Sequence, residues 1–204
     1  MPGYAGGFLS KSPGASPRNE IRIIAGEWRS RKLRFPAIEG LRPTPDRVRE
    51  TLFNWLREDV AGSQCLDLYS GSGALGFEAA SRGARRVVQV ESDDRVCAAL
   101  RHNCELLSAS QVQVRQESVR HFLAEPSEPF EIVFLDPPFR RGWLVPICEM
   151  LERRGWLTQY AHIYLEAERE LRLDGLPVTW QRIRHGEAGD VAYALYQRNP
   201  QATT

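Results

Sequence analysis

The sequence lacks long apolar runs, paired cysteines and any large excess of one charge. None of its hydrophobic segments approaches the roughly 20 residues that span a bilayer, and its N-terminal residues lack the charged-then-apolar pattern of a signal peptide. The four cysteines, at positions 65, 97, 104 and 148, form no C-x-x-C pair, and the four histidines are scattered. This pattern opposes a zinc site and a disulfide framework. We therefore expect a cytoplasmic protein with reduced thiols.

The net charge of +1 is unevenly distributed along the chain. Residues 1–49 hold ten Lys/Arg and four Asp/Glu, a balance of +6, so the remaining 155 residues sum to about −5. A basic segment attached to an acidic body is typical of proteins that bind a polyanion such as nucleic acid. A solvated face or tail is the alternative interpretation of the same composition.

Composition and periodicity divide the chain into three regions. Residues 1–19 are rich in Gly, Pro and Ser and are predicted to be a disordered tail. Residues 20–61 form a predicted basic extension, with two short strands around a Gly26-Glu27 turn and then a helix. Thr44 is the predicted N-cap of that helix, and Pro45 its first residue. Residues 62–200 form the predicted main domain.

The main domain alternates between strand and helix patterns. Strands are predicted near 64–69, 86–91, 111–115, 130–135 and 162–167, and helices near 74–82, 93–107, 118–124 and 143–154. This alternation predicts an α/β fold, a parallel sheet with helices on both faces. Segments 178–185 and 190–198 flank Gly186–Gly189 and predict a terminal antiparallel hairpin. Such an ending is not the usual plan of a dinucleotide-binding domain.

A glycine-rich turn follows the first strand of the main domain. The G-x-G-x-x-G pattern at Gly71, Gly73 and Gly76 suits NAD, FAD and S-adenosylmethionine alike. Asp67 precedes the first glycine by four residues. A carboxylate there would repel a pyrophosphate but attract the ammonium of S-adenosylmethionine, so we assign Asp67 and the intervening Tyr69 to that cofactor.

Two further side chains are candidates for the nucleoside end of the cofactor. Glu91 ends the next strand, and a carboxylate at that place can accept hydrogen bonds from both ribose hydroxyls. Ser118 begins the segment after the third strand, where an adenine edge can be contacted. A helix N-cap is an equally good interpretation of Ser118.

The tetrapeptide Asp136-Pro137-Pro138-Phe139 follows the fourth strand and is the predicted catalytic motif. Ligands of open α/β sheets bind beyond the carboxyl ends of strands, so the motif should face the glycine turn. The Asp136 carboxylate and the Pro137 carbonyl can accept the N–H groups of a conjugated amine and stabilise the positive charge that develops on it. Rigid prolines preorganise these acceptors, and Phe139 offers a stacking face. A proline-rich loop with an incidental aspartate is the alternative.

With these motifs together, the chain resembles class I S-adenosylmethionine-dependent methyltransferases with a [DN]-P-P-[FYW] motif. The resemblance is strongest to the RsmD-type family, which methylates N2 of a guanine in 16S ribosomal RNA. It covers residues 20–198 and is carried by RIIAGEWRSRKL, LRPTPDRVRETLFNWL, DLYSGSGALGFEAASRGA, DPPFRRG and VAYALYQR. It implies a Rossmann-like, seven-stranded, mostly parallel sheet. It also implies cofactor around Asp67, Gly71, Gly73 and Glu91, and the target base at 136–139. Relatives often carry Asp or Asn where this chain has Ser118.

The resemblance further implies that Arg42-Pro43-Thr44 borders the active site and that the basic hairpin holds RNA. We therefore assign Thr44 to the cofactor site. The cations assigned to RNA are Arg22, Arg29, Arg31, Lys32, Arg34, Arg42, Arg140 and Arg141. For Trp28, stacking on a base and packing in the core both remain open.

The expected function is methyl transfer from S-adenosylmethionine to the exocyclic N2 of a guanine in 16S ribosomal RNA. We expect a monomer that acts on a partly assembled small ribosomal subunit. No metal is expected, because a sulfonium is already an activated leaving group. The alternatives are N6-adenine methylation of DNA or RNA, and a non-catalytic RNA-binding assembly factor. A dehydrogenase fits least, since the terminal hairpin and the DPPF motif both oppose it.

Overall fold

Two sheets and five helices are present in the structure, a computed structural model that describes residues 19–138, 141–169 and 175–201. The N-terminal elements are β1 (Glu20–Arg22), β2 (Lys32–Arg34) and α1 (Asp46–Trp55). The elements that follow are β3 (Gln64–Leu68), α2 (Ala74–Ser81), β4 (Arg86–Glu91), α3 (Asp94–Leu107), β5 (Val112–Gln116), α4 (Val119–Phe122), β6 (Phe130–Leu135), α5 (Leu144–Arg153), β7 (Leu157–Glu168), β8 (Trp180–Ala188) and β9 (Val191–Arg198).

The larger sheet has seven strands in the order β5-β4-β3-β6-β7-β9-β8. Strands β3 to β7 pair in parallel, whereas β9 pairs antiparallel with both β7 and β8. Strands β3, β4 and β5 follow one another towards one edge of the sheet. The chain then crosses back, and β6 pairs with the other side of β3. The predicted α/β class, with a mostly parallel sheet and a terminal antiparallel hairpin, is confirmed. The strand order reverses between β3 and β6, where a crevice forms at their carboxyl ends.

Helices cover both faces of this sheet, which explains why its central strands are apolar along their whole length. Strand β6, with the sequence FEIVFL, is buried at every position except Glu131. One core contains the inward sides of α1, α2 and α3, and the other contains those of α4 and α5. All eight residues of α2 are buried, because the N-terminal hairpin lies on the outer side of that helix.

The N-terminal hairpin, residues 20–34, docks on α2 through directional contacts. The Glu78 carboxylate accepts the amides of Ile24 (2.8 Å) and Ala25 (3.1 Å). The Ser81 hydroxyl donates to the Ala25 carbonyl over 2.6 Å. A Cβ atom added to Gly26 would lie 1.8 Å from the Ser81 carbonyl oxygen, so only glycine allows this approach. The hairpin is therefore anchored to the helix that begins at the glycine turn.

Trp28 belongs to this docking surface and not to an open face. It is only 6% exposed and lies in the core that contains Leu33 and Phe77. Its backbone amide donates to the Ser81 hydroxyl over 2.9 Å. Of the two interpretations left open for Trp28, packing is the one that the structure supports.

The terminal hairpin differs from the prediction at its turn. The predicted turn at Gly186–Gly189 is wrong, because β8 continues to Ala188 and only Gly189 and Asp190 separate it from β9. Gly186 pairs with Tyr193 across the ladder, and a Cβ at Gly186 would lie 2.5 Å from the Tyr193 ring. Gly186 is thus a strand glycine that makes room for an aromatic ring.

The composition-based expectations on cysteine agree with the structure. All four cysteines are free, and Cys65, Cys97 and Cys148 are buried. Among the described residues, the helices are all too short or too polar to cross a membrane. The predicted disordered tail, residues 1–19, lies outside the described residues except for Asn19.

Candidate active site

The glycine turn and the DPP segment meet at the point where the strand order reverses. Leu68, the last residue of β3, pairs in register with Leu135, the last residue of β6. The residues that follow these two strands therefore leave the sheet side by side, with Tyr69 beside Asp136. The structure thus brings together two motifs that are separated by more than sixty residues in the sequence.

The glycine turn places the start of α2 against the sheet. A Cβ at Gly76 would lie 2.4 Å from the Gln89 amide nitrogen and 2.8 Å from Asp67 Oδ2, so the helix can approach β3 and β4 only with glycine there. Tyr69 has a φ of 62°, an uncommon conformation for a residue with a side chain. The backbone strain lies next to the crevice, as is frequent at functional sites.

Asp67 is buried beneath the turn, where it is only 3% exposed. Its Oδ2 accepts the Gly76 amide over 2.9 Å and lies 3.5 Å from the Gln89 amide nitrogen. Burial raises the pKa of Asp67 to about 7, and these hydrogen bonds oppose the rise. A positive group placed beside this carboxylate would therefore be attracted strongly.

Glu91, at the end of β4, connects that strand to the glycine turn. Its Oε2 accepts the Gly71 amide over 3.1 Å, while Oε1 accepts the amides of Ser92 (2.6 Å) and Asp93 (2.9 Å). Three amides thus hold the carboxylate rigidly at the edge of the crevice. A carboxylate has further lone pairs that can accept hydrogen bonds from hydroxyl groups.

Asp136 is half-buried at the centre of the crevice, followed by a buried Pro137 and an exposed Pro138. Burial raises the pKa of Asp136 well above its ordinary value, and the nearby charges of Glu166 and Asp67 raise it further. Three carboxylates thus converge on the ends of three adjacent strands, β3, β6 and β7. Such a site favours a ligand or transition state that carries positive charge. Phe139, which completes the predicted motif, and Arg140, which was assigned to RNA, lie outside the described residues.

Comparison with known proteins agrees with this arrangement. The family model described as conserved hypothetical protein 95 matches residues 21–197. The chain is 49% identical over 191 residues to ribosomal RNA small subunit methyltransferase D of Escherichia coli, covering 94% of this chain and 96% of that protein. The enzyme of the same name from Haemophilus influenzae is 43% identical over 193 residues, covering 93% and 100%.

The chain belongs to the RsmD family of class I methyltransferases.

A solved structure of a putative methyltransferase from Escherichia coli superposes with a TM-score of 0.80. It is 48% identical in sequence, and the match covers 88% of this chain and 98% of that one. The class I methyltransferase fold of this RsmD-family protein is therefore shown by both sequence and structure.

One carboxylate of the crevice, Glu166, was missed by reasoning from the sequence. It lies on β7 and is 5% exposed, and its Oε1 accepts the hydroxyls of Thr44 (2.9 Å) and Tyr164 (2.9 Å). The signal that could have found it is the one that found Asp136. Glu166 also stands at the carboxyl end of a predicted strand, 162–167, where ligands of this fold bind.

Thr44 occupies a different role from the predicted helix cap. Pro45 holds the N-cap position of α1, without a side-chain cap hydrogen bond, and the Thr44 hydroxyl bonds to Glu166 instead. The cap prediction was wrong because the partner of Thr44 lies 122 residues away. Leu41, in the same segment, lies against the glycine turn, since a Cβ at Gly71 would be 2.8 Å from Leu41 Cδ1. Segment 41–44 of this RsmD-family protein thus spans the crevice, with Arg42 exposed.

The aromatic and polar residues at the rim have mixed outcomes. Ser118 caps α4, and its hydroxyl accepts the His121 amide over 3.2 Å; its contact with adenine stays a prediction. Tyr69 stacks on Trp143, with ring centroids 6.1 Å apart. Trp143 is 36% exposed and was not predicted as part of the site. Its only sequence signal is its closeness to the tetrapeptide.

The cations assigned to RNA are exposed wherever the structure describes them. In the hairpin these are Arg22, Arg29, Arg31, Lys32 and Arg34, and near the crevice they are Arg42 and Arg141. A groove of about 630 Å³ runs along the hairpin and is lined by Arg22, Arg29 and Glu50 among others. The hairpin turn contacts Ser81, at the far end of α2. The eight residues of α2 span about 12 Å, so the cations of the hairpin are separated from the crevice by about the length of this helix.

A cluster of potential metal ligands lies beside β5. Ligand-type atoms of Glu117, His121 and Glu125 lie within 4.8 Å of one another. Arg115 forms ion pairs with both glutamates, and His121 Nδ1 lies 2.7 Å from Glu117 Oε2. Arg115 thus already neutralises part of the acidic charge of the cluster. This cluster gives no reason to assign a metal to the protein.

Proposed function

We propose that this protein transfers a methyl group from S-adenosylmethionine to the exocyclic N2 of a guanine in 16S ribosomal RNA. The observation that carries the proposal is the convergence of the glycine turn and the DPP segment on one acidic crevice. Two similar relatives named ribosomal RNA small subunit methyltransferase D support the choice of ribosomal RNA. The RsmD-type resemblance supports guanine N2 over adenine N6.

The crevice fits the charge of S-adenosylmethionine. Asp67 and Asp136 are carboxylates whose pKa values are raised by burial, so a bound cation stabilises their ionised forms. The sulfonium and ammonium groups are cations of this kind, whereas the pyrophosphate of a dinucleotide would be repelled. In this proposal Asp67 and the glycine turn hold the methionine end, with Tyr69 and Thr44 beside it. Glu91 accepts the ribose hydroxyls, and Ser118 contacts the adenine.

The residues of the DPP segment orient the target amine. The exocyclic amine of guanine is a poor nucleophile because its lone pair is delocalised into the ring. The Asp136 carboxylate and the Pro137 carbonyl accept its two N–H groups, which directs the lone pair towards the methyl donor and stabilises the developing positive charge. Positioning supplies much of the remaining rate acceleration. S-adenosylmethionine supplies a methyl group that is already activated, so the proposal includes no metal.

Phe139 in this proposal stacks on the target base, and Arg140 and Arg141 contact phosphates near it. The basic extension, residues 20–61, holds RNA through the hairpin cations, and residues 62–200 form the methyltransferase domain. The protein is a monomer in this proposal, and its substrate is a partly assembled small ribosomal subunit in the cytoplasm. Equal or better activity on naked 16S ribosomal RNA would contradict the choice of particle.

Replacing Asp136 by alanine tests the proposed chemistry. Because the variant removes one preorganised acceptor, methyl transfer should fall by about 10²–10³-fold. Binding of S-adenosylmethionine, measured by calorimetry, should survive. Asp190→Ala, at the exposed turn of the terminal hairpin, is the matched control and should keep full activity. Retained transfer by Asp136→Ala would contradict the role of Asp136.

A further inference from the structure

Glu166 lies beside Asp136, and the mechanism above does not use it. The residues that precede them, Leu165 and Leu135, are paired in register, so Asp136, just after β6, lies next to Glu166 on β7. Glu166 is 5% exposed and pairs across the ladder with Tyr193. A buried carboxylate next to a catalytic carboxylate is costly in free energy, which calls for a functional explanation.

The hydrogen bonds around Glu166 favour its charged form. The hydroxyls of Thr44 and Tyr164 both donate to Oε1 over 2.9 Å. Burial raises the pKa of Glu166, and these two hydroxyls oppose the rise. The donors come from two elements, the segment before α1 and β7 itself, so the direction of the carboxylate is fixed.

Among the described residues, the other titratable groups that face this pair are acidic or phenolic. Asp67 comes from β3, Tyr193 from β9 and Tyr164 from β7. The charges that raise the pKa of Asp136 belong to Glu166 first and then to Asp67. The two hydroxyls therefore offset part of the cost of burying a charge on Glu166, and that charge is the larger of the two that raise the pKa of Asp136.

We propose that Glu166 is a positioning residue for methyl transfer: its fixed negative charge beside Asp136 strengthens Asp136 as acceptor of the target N–H groups and of the proton that the amine loses. The catalytic part of this inference rests on the proposed function. The electrostatic part concerns only side chains of this protein and can be tested without cofactor or RNA.

The proposed step is balanced in atoms and charge. The amine nitrogen forms a bond to the methyl carbon while the S–C bond breaks, and its electron pair stays on sulfur. The methylated nitrogen is then positively charged and loses one proton, which passes to the Asp136 carboxylate and from there to water. Glu166 keeps its own charge throughout and makes the transfer to Asp136 more favourable.

The first experiment is a carboxyl ¹³C NMR titration of the full chain and of Glu166→Gln. Gln is nearly isosteric and keeps an oxygen that accepts the two hydroxyls, but it removes the charge. The titration midpoint of Asp136 should therefore move to lower pH by about one unit or more. The matched control is Glu187→Gln. Glu187 lies on β8 in an exposed ion pair with Arg169, and its replacement should leave the titration midpoint of Asp136 unchanged.

Methyl transfer supplies the second readout. In Glu166→Gln the ascending limb of kcat against pH should move to lower pH. The plateau of kcat should fall by about tenfold, which is less than the roughly 10²–10⁴-fold expected when a general base itself is removed. KM for S-adenosylmethionine and for RNA should change by less than about threefold, because uniform binding is retained. If Glu166 had only a structural role, its replacement would lower activity without moving the ascending limb of the pH profile of kcat.

Tyr164→Phe keeps the proposal testable if Glu166→Gln does not fold. The variant removes one donor and keeps the ring, so the Glu166 midpoint should rise and that of Asp136 should fall slightly. An Asp136 midpoint that stays unchanged in Glu166→Gln, or in Tyr164→Phe if only that variant folds, would overturn the proposal. A moved midpoint together with full transfer by Asp136→Ala would instead reject the catalytic role of Asp136 while the electrostatic pair stands.

Discussion

The acidic charge of the crevice lies within the protein, on Asp67, Asp136 and Glu166. The arginines of the N-terminal hairpin are instead exposed to water. In the crevice, two neighbouring hydroxyls hold Glu166 and the Gly76 amide holds Asp67, and removal from water strengthens these interactions. On the hairpin, Arg29 and Lys32 are exposed, where individual charges act weakly and salt screens them. In the proposed function this difference corresponds to two roles, with methyl transfer in the desolvated crevice and RNA attraction on the solvated hairpin.

The two regions are connected by α2, which begins at the glycine turn and ends beneath the hairpin. Arg49 and Glu78 are both fully buried in this connection, with Arg49 Nη1 3.5 Å from Glu78 Oε2. Arg82 also pairs with Glu78 over 2.7 Å. The hairpin therefore has a fixed orientation relative to the glycine turn. Substitutions at the two ends of α2 should affect these two regions separately, so their contributions can be distinguished.

The largest expected effect comes from breaking this connection with Glu78→Ala. The variant leaves the buried Arg49 guanidinium without its buried partner and removes two acceptors of hairpin amides. The free energy of unfolding should fall by about 3–5 kcal/mol in urea titrations. Glu149→Ala, which removes an exposed i,i+4 pair with Arg153 on α5, should cost less than about 0.5 kcal/mol. A loss below about 1 kcal/mol for Glu78→Ala would show that the hairpin is not held through this carboxylate.

The second prediction concerns the buried charge of the crevice. The pKa of Asp67 is raised from 3.8 to about 7 in the folded chain, so between these values the folded state holds a proton that the unfolded state has lost. The free energy of unfolding should therefore decrease as pH rises from about 4 to 7. Asp67→Asn should remove this contribution and raise stability at pH 8 by up to about 4 kcal/mol, at about 1.4 kcal/mol for each unit of pKa shift, while S-adenosylmethionine binding weakens. Stability curves against pH that run parallel in the two proteins would contradict this account.

The third prediction addresses the exposed cations. Replacing Arg29 and Arg31 together by glutamine should weaken RNA binding and reduce the salt dependence of log K by about 1.4–1.8. S-adenosylmethionine binding should be unchanged, because neither side chain lies at the crevice. Arg153→Gln on α5 serves as a control with an exposed arginine outside the hairpin. An unchanged salt slope in the hairpin variant would place the RNA elsewhere.

The smallest expected effect is that of Ser118→Ala. Its hydroxyl caps α4, so the variant should lose about 1 kcal/mol of stability. If the same hydroxyl contacts adenine, cofactor affinity should fall by a few-fold in calorimetry. A loss of stability without any loss of affinity would leave Ser118 as a helix cap alone.

Local patterns predicted much of this molecule. The alternation of strands and helices could be predicted from short-range periodicity. The positions of Asp67, Glu91 and Asp136 follow from the rule that ligands bind at the carboxyl ends of parallel strands. The paired motifs could be placed together because both directly follow strands of the same sheet.

Long-range contacts account for what could not be predicted. The hydroxyl of Thr44 looks like a cap in the sequence, but its partner Glu166 lies 122 residues away. Trp28 could have been a stacking residue until the docking of the hairpin on Ser81 buried it. In both cases tertiary packing decided between local alternatives that are equally good in the sequence.

The most direct test of the account is transfer of labelled methyl groups from S-adenosylmethionine to unmodified small ribosomal subunits, followed by digestion to nucleosides. The account predicts label in N2-methylguanosine with the native protein and its loss with Asp136→Ala. Label in N6-methyladenosine would keep the mechanism and contradict the target. Absence of label from every nucleoside, with S-adenosylmethionine binding intact, would contradict the proposal that the crevice methylates RNA.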